Sequence, residues 1–346
     1  MGRENPDSST RTSVRPSTSL FPWPLAGASL RARLSHWLTA LRVPPSASTM
    51  RLRFQPLRHS SRAWDKQSGL NRPRPFRHRR SRAIMARGHA AFLRTRIPVE
   101  PSAYETLYLL EDTHWWCAGM REVAWALLDG LSLPPQAARV LDLGCGTGGF
   151  LRELQERWPA VGADIAEIAL HYSQARSLRG LVQASADRLP FAEGAFGLVA
   201  CMDVLYHRAV EDEGAALREV RRVLAPGGWF LVRVPAYRWL FSPHDLAEHG
   251  VRRYTAGTLR ALLEAAGFAV RRLTYANALL FPLAAARRLL GRAAGREPRC
   301  ELQPVPPALN RFLHQVLRAE ARWLRRGTFP FGLSVLALAQ KPAEEG

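Results

Sequence analysis

The residues Val140-Leu-Asp-Leu-Gly-Cys-Gly-Thr-Gly-Gly-Phe150 hold the densest chemistry in this chain. An apolar run carries the carboxylate of Asp142 near its end and breaks into a loop with glycine at alternate positions. The helical pattern Phe150-Leu-Arg-Glu-Leu-Gln-Glu-Arg-Trp158 follows directly. Glycine lets the chain turn sharply and bring its N–H groups against a ligand, beside the positive end of the next helix. A loop of this kind suits a nucleotide-like cofactor. Gly144-x-Gly146-x-x-Gly149 satisfies the fingerprint for a dinucleotide, whose pyrophosphate sits on the helix N-terminus. Asp142 weighs against that ligand. A carboxylate at the strand end repels a pyrophosphate and attracts an ammonium, directly or through water.

Further acids follow at strand ends. Ala160-Val-Gly-Ala-Asp164-Ile reads as a second strand whose acid can accept both hydroxyls of a ribose, with Ile165 packing on the base. Dinucleotide folds use the same device, so Asp164 alone does not discriminate. Next come Ala184-Ser-Ala-Asp187-Arg-Leu-Pro-Phe191 and Phe196-Gly-Leu-Val-Ala-Cys-Met-Asp203. Last is Leu217-Arg-Glu-Val-Arg-Arg-Val-Leu-Ala-Pro-Gly-Gly-Trp-Phe-Leu-Val232, a helix, a turn and a strand. In this order, and with Asp142-x-Gly144-x-Gly146-x-Gly148, the motifs resemble the class I S-adenosylmethionine-dependent methyltransferases, in the type-11, ubiquinone-methyltransferase-like branch. The resemblance covers about residues 100 to 275, with the last strand later. It implies S-adenosylmethionine as cofactor, bound by Asp142, Gly144, Cys145, Gly146 and Gly148 in the first loop and by Asp164 and Ile165 after the second strand. Asp187, with Arg188 beside it, would lie at the adenine amino group, and Met202 would end the strand beneath the transferable methyl.

Methyl transfer is a direct displacement, so the protein must align a nucleophile with the methyl–sulfur bond. Where the nucleophile is a hydroxyl, a general base adds roughly 10²–10⁴-fold. His207, in Asp203-Val-Leu-Tyr-His207 just past the fourth strand, is the candidate catalytic base; packing or hydrogen bonding beside the cofactor is the alternative. A second cluster is His244-Asp-Leu-Ala-Glu-His249-Gly-Val-Arg-Arg-Tyr254, where Arg252 and Arg253 suit a phosphate or carboxylate. A solvated loop with one arginine capping a helix is the plainer reading. The spacing of His244, Asp245 and His249 matches no standard metal motif, and no metal is expected. His114, Trp115, Tyr206, His244, His249, Arg253 and Tyr254 are the candidate acceptor contacts, with His114 and its tryptophans as an aromatic wall.

These residues need a scaffold. Between Ala138 and Tyr275 short apolar strands alternate with helical patterns, near 139–143, 160–164, 181–184, 197–202, 228–235 and 268–275. A final strand, Gly332-Leu-Ser-Val-Leu-Ala-Leu-Ala-Gln340, completes the expectation of an α/β, Rossmann-like seven-stranded sheet. The alternation implies a mostly parallel sheet with helices on both faces, and the family resemblance implies that the last strand closes it antiparallel. Ligands in such sheets bind beyond the carboxyl ends of the strands, so the motifs converge on one edge. The methyltransferase domain is placed at 98–346, with a helical segment at 102–131 and a helical insertion at 276–331 before the last strand, both read as a cap over the active site. The insertion opens with an apolar run and continues through Arg287, Arg288, Arg292, Arg296 and Arg299. Residues 276–299 could thus touch an anionic membrane or form a soluble amphipathic lid.

The net charge of +20 is uneven along the 346 residues. Residues 1–84 hold 17 of the 49 Lys/Arg but only 3 of the 29 Asp/Glu. Residues 1–97 are read as a basic, Ser/Pro/Arg-rich disordered arm. It would be a nucleic-acid-binding tail, a transit peptide, or the product of a start assigned upstream of Met50 or Met85. Four separated cysteines suggest neither zinc nor a disulfide framework, and a cytoplasmic enzyme is expected. The acceptor is read as a small or lipid-linked molecule. An RNA-directed methyltransferase using the arm and a non-catalytic binding protein are the alternatives. Nucleic acid is disfavoured because Asp203-Val-Leu-Tyr206 stands where an Asn/Asp-Pro-Pro-Tyr motif would be. Oligomeric state is not legible.

Overall fold

The computed structural model describes residues 101–242, 245–246, 248–293 and 302–343. The arm expected over 1–97 and the candidate contact His244 lie outside the described residues. Seven strands form one sheet: β1 Val140–Leu143, β2 Ala160–Asp164, β3 Leu181–Gln183, β4 Phe196–Met202, β5 Leu224–Pro235, β6 Ala269–Ala276 and β7 Ser334–Gln340. Their order is β3-β2-β1-β4-β5-β7-β6. β1 to β5 pair in parallel, and β7 enters antiparallel between β5 and β6. The expected antiparallel last strand is present, and it lies inside the sheet instead of closing it. Succession reverses between β1 and β4, which puts the ligand crevice above their carboxyl ends.

Alternation along the strands builds two cores. Val335, Ala337 and Ala339 of β7 join one apolar cluster, while Leu336 and Leu338 join the other. The first is covered by α5, Glu213–Val223, and α6, Ala256–Ala265. Ala216, Leu217, Val220 and Val223 give α5 its buried stripe, and Arg221 and Arg222 sit favourably in its last turn. The second cluster is covered by α2, Trp115–Leu128, α3, Gly149–Gln155, and α8, Pro307–Leu324. α1, Pro101–Leu110, packs on α4, Glu167–Ala175.

Two details depart from the linear pattern. The Pro226-Gly-Gly turn sits inside β5 as a bulge: Phe196 pairs with Leu224, but Leu198 pairs with Trp229. The insertion, expected as one cap, divides in two. α8 belongs to the helical layer, burying Leu317, Ala321 and Leu324 at helical spacing. It approaches α2 so closely that a Cβ on Gly119 would lie 2.6 Å from Leu317 Cβ. Only the remainder stands by the ligand edge: α7, Phe281–Ala293, rests against the short turn Arg238–Leu240 after β5.

Candidate cofactor and acceptor site

The glycine loop turns through three left-handed residues, Gly144 at φ +77°, Gly146 at +54° and Gly148 at +91°. At Gly144 a Cβ would lie 2.1 Å from Val204 Cγ2, so the loop rests directly on the segment after β4. Gly144 and Cys145 donate to the Ala163 carbonyl at 2.7 and 3.1 Å, which ties the loop to β2. Cys145 packs so closely on Gly162 that a Cβ there would lie 2.9 Å from its Sγ, and burial pushes its thiol well above the ordinary range.

Asp142 is 2% exposed and its Oδ2 has no hydrogen-bond partner. Burial, then the charges of Glu111 and Asp164, push its carboxyl up to about 8. Asp164 is differently employed: Oδ2 accepts from Gly146 N and Oδ1 from Ala166 N, both at 2.9 Å. Burial raises its pKa in spite of these bonds. Each oxygen keeps a lone pair for a further donor. Ile165 and Met202 are half-buried at the ends of β2 and β4, and Gln183 Nε2 holds the Ile165 carbonyl at 3.0 Å. Asp187 is half-buried and Arg188 exposed in the turn after β3, which Arg188 N closes on Ser185 O at 3.0 Å.

Four groups at this loop were not foreseen. The Glu111 carboxylate accepts from Thr147 Oγ1 and lies where a Cβ on Gly149 would be, 2.3 Å from Glu111 Cδ. It therefore occupies the positive end of α3. Arg176 of the α4 terminus donates to the Thr147 carbonyl at 2.8 Å and the Tyr108 carbonyl at 3.0 Å, and pairs with Asp112 at 2.5 Å. Tyr104, buried on α1 near Asp164 and Cys145, has its hydroxyl pKa raised by that burial and those charges. α1 and the turn after it are thus strapped over the glycine loop. Glu111 and Asp112 stand out in the linear sequence as adjacent acids ahead of an aromatic stretch, but nothing local announces that Arg176 meets them.

On the acceptor side, Asp203 takes a left-handed φ of +58° and accepts from Arg233, whose guanidinium lies 5.1 Å from the centre of the Trp116 ring. The segments 204–210 and 249–251 are zipped together by Arg208 N to His249 O at 2.9 Å and Val251 N to Tyr206 O at 3.0 Å. The Tyr206 ring lies beneath Gly250, 2.7 Å from where a Cβ would stand. His207 and His249 face each other with ring centres 5.8 Å apart, and the Nε2 atoms of both are buried without a partner. Ala209 N donates to His207 Nδ1 at 3.1 Å. Nδ1 is thereby the acceptor, so the neutral ring carries its hydrogen on Nε2. Burial, and then His249 and Arg208, lower the His207 pKa to about 4.

Three expected acceptor contacts are engaged inside the protein. Arg253, its side chain 3% exposed, pairs with Asp245 at 2.7 Å and donates to the Ala236 carbonyl at 2.7 Å. Tyr254 is buried and reaches Glu213 and the Leu205 carbonyl. His114 is buried as the N-cap of α2, accepting from Trp116 N at 3.4 Å. Each meets a polar group that folding would otherwise strand, which is why these polar residues face inward. Trp115 is half-buried, its N–H held by Asn310 of α8 at 2.9 Å. The His114 and Trp115 rings lie 5.7 Å apart, and a second aromatic cluster stands after β5. Tyr237 stacks on Tyr275 at 5.2 Å and meets Trp239 and Phe281 at 5.7 Å.

A methyltransferase-domain family model matches residues 112–273. The demethylmenaquinone methyltransferase of Thermus thermophilus is 35% identical over 175 residues, covering 41% of this chain and 79% of that protein. The chain belongs to the class I S-adenosylmethionine-dependent methyltransferases. It falls in their ubiquinone/menaquinone-methyltransferase-like branch, and S-adenosylmethionine is the cofactor. The ubiquinone biosynthesis O-methyltransferase of Paracidovorax citrulli is 35% identical over 114 residues, 30% of this chain and 45% of that one. A malonyl-[acyl-carrier protein] O-methyltransferase of Geobacter sulfurreducens is 30% identical over 152 residues, 38% of this chain and 56% of that one. The chain spans about half the length of these two relatives, and their names differ in the acceptor. Family membership carries the donor alone.

The site fits that donor. A methyltransferase of this class binds a ligand with an ammonium, and the buried, unpartnered Oδ2 of Asp142 is an acceptor that requires such a donor. The left-handed glycines add no side chain of their own to the loop that follows it.

Proposed function

We propose that this methyltransferase acts on a small-molecule or lipid-linked acceptor held against the wall that 204–210 and 248–254 form together after β4 and β5. The observation that carries the reading is the buried, unpartnered Nε2 of His207, which the bond from Ala209 makes a donor, beside the His249 ring whose own Nε2 is unpartnered. Bound S-adenosylmethionine supplies an activated, electrophilic methyl group. The protein has then to orient the nucleophile and exclude water. In this reading His207 gives a hydrogen bond to the acceptor and fixes its angle, in place of the base role that its position in the sequence suggested. A ring with a pKa near 4 stays neutral at physiological pH and keeps that donor. His249 is the nearest second ring and takes the proton of an acceptor hydroxyl. Tyr206 and the Tyr237–Tyr275 stack supply apolar walls, and Asp142, Asp164 and Asp187 hold the donor.

The test uses donor labelled in its methyl group, incubated with the protein and fractionated extract of the native host, and mass spectrometry of what becomes labelled. Label is expected in the organic-soluble or small-molecule fraction, with at least tenfold less for His207→Ala at unchanged cofactor affinity. Label in RNA would replace this reading with the RNA-directed one. Turnover unaffected by His207→Ala would remove the role of His207.

A further inference from the structure

α7 displays its apolar side outward. Leu283 is 71% exposed and Leu290 is 70% exposed, and with Ala286 they share one face at i, i+3 and i+7. Leu279 and Leu289 extend the patch, while the side turned to the protein carries the small, buried Ala285. An amphipathic surface helix ordinarily does the reverse. The exposed side chain of Arg287 borders the leucines, and the sequence has no acidic residue from Ala265 to Arg296.

We propose that this face of α7 docks on an anionic lipid surface. Leucines beside arginine, with no acid among them, complement a bilayer in which phosphates lie outside acyl chains. A protein partner would need no such exclusion of acids. Each arginine brought near an anionic surface is worth about a fivefold gain in partition. Among the described residues no helix is long and apolar enough to cross a membrane, so the contact is peripheral. Its position gives it a use. α7 packs on the Arg238–Leu240 turn, and Phe281 joins Tyr237 and Trp239 at the carboxyl edge of β5, where the acceptor is proposed to bind. A lipophilic acceptor could pass from bilayer to site along this aromatic path.

That last step rests on the proposed function; lipid docking does not. Docking is therefore measured without turnover. The full chain is mixed with phosphatidylcholine vesicles with and without phosphatidylglycerol, and sedimentation gives the bound fraction. Binding is expected to the anionic vesicles at low salt, at least tenfold weaker for the Leu283→Asp, Leu290→Asp double variant, whose melting temperature and cofactor affinity stay at wild-type values. Brominated lipid should quench a component of tryptophan fluorescence that Trp239→Phe removes. The proposal is overturned if the double variant binds as tightly as wild type, since the basic N-terminal residues would then be responsible. Absence of binding at low salt overturns it too. So does a dimer that the double variant dissociates without changing vesicle affinity.

Discussion

The loops after β1 and β2 and the loops after β4 and β5 share one edge of the sheet and are built on opposite plans. At the first pair, polar groups are left wanting a ligand: Asp142 is buried with an unpartnered oxygen, and the glycines let the loop lie against Val204, Leu178 and Ser173 in conformations that side chains resist. At the second pair, most polar groups satisfy one another. Arg253 with Asp245, Arg252 with the Val210 and Glu211 carbonyls, and Tyr254 with Glu213 knit two distant segments into one wall. Among the described residues there, His207 and His249 keep buried nitrogens without a partner. A fixed donor site and an acceptor wall with few committed contacts suit a family whose members share a cofactor and differ in acceptor.

This contrast can be broken at either side. The largest effect is expected at Gly144, where a side chain meets both a left-handed backbone and Val204. Gly144→Val should cost about 3–5 kcal/mol and abolish measurable cofactor binding, by thermal melting and calorimetry. Arg253→Met comes next. It leaves Asp245 buried without its cation and should destabilise by about 3–5 kcal/mol while cofactor affinity holds within twofold. Retained stability with a raised acceptor KM would instead restore Arg253 as an acceptor contact.

Asp142→Asn separates function from stability. Loss of a charge-assisted bond should weaken cofactor binding about 10- to 100-fold. The free protein should respond in the other direction. The folded-state pKa of Asp142 is raised from 3.8 to about 8, so its contribution favours the fold below about pH 4 and is lost as pH rises to 8. The variant should therefore melt higher than wild type at pH 8 and about equally at pH 4. Cofactor affinity of the wild type should strengthen up to about pH 8 as Asp142 gives up its proton, and the variant should lack this dependence. The smallest effect is at the acceptor wall. His207→Gln, which can place an N–H donor, should keep more turnover than His207→Ala. Neither variant should remove an acidic limb between pH 5.5 and 7.5, because His207 titrates near pH 4.

Much of the donor side was legible because its parts are local. Asp142 and the glycines are within a few residues, and a strand, a loop and a helix follow in one stretch. The acids ending β2 and the stretch after β3 recur with the same period, so chain order was enough to put them on one edge. The acceptor side was legible in composition and not in role. His244 to Tyr254 is dense in polar groups, yet sequence could not tell that Arg253 would meet Asp245 and Ala236 rather than an anion, since that depends on where the fold sets Asp245, against Ser242 and Arg253. The strap from Arg176 to Glu111 and Asp112 joins residues 64 and 65 apart, beyond any local pattern.

By itself the sequence determined the alternation of strands and helices and the donor loop, because hydrophobic period, glycine conformations and strand-end acids act over short ranges. Tertiary structure alone decided which polar residues would be consumed in folding and which left for a ligand. A buried donor or acceptor must find a partner, and the partner is set by whatever the fold brings within about 3 Å of it. That is why the His207 tautomer could not be read from the sequence: one backbone N–H, from Ala209, makes Nδ1 the acceptor.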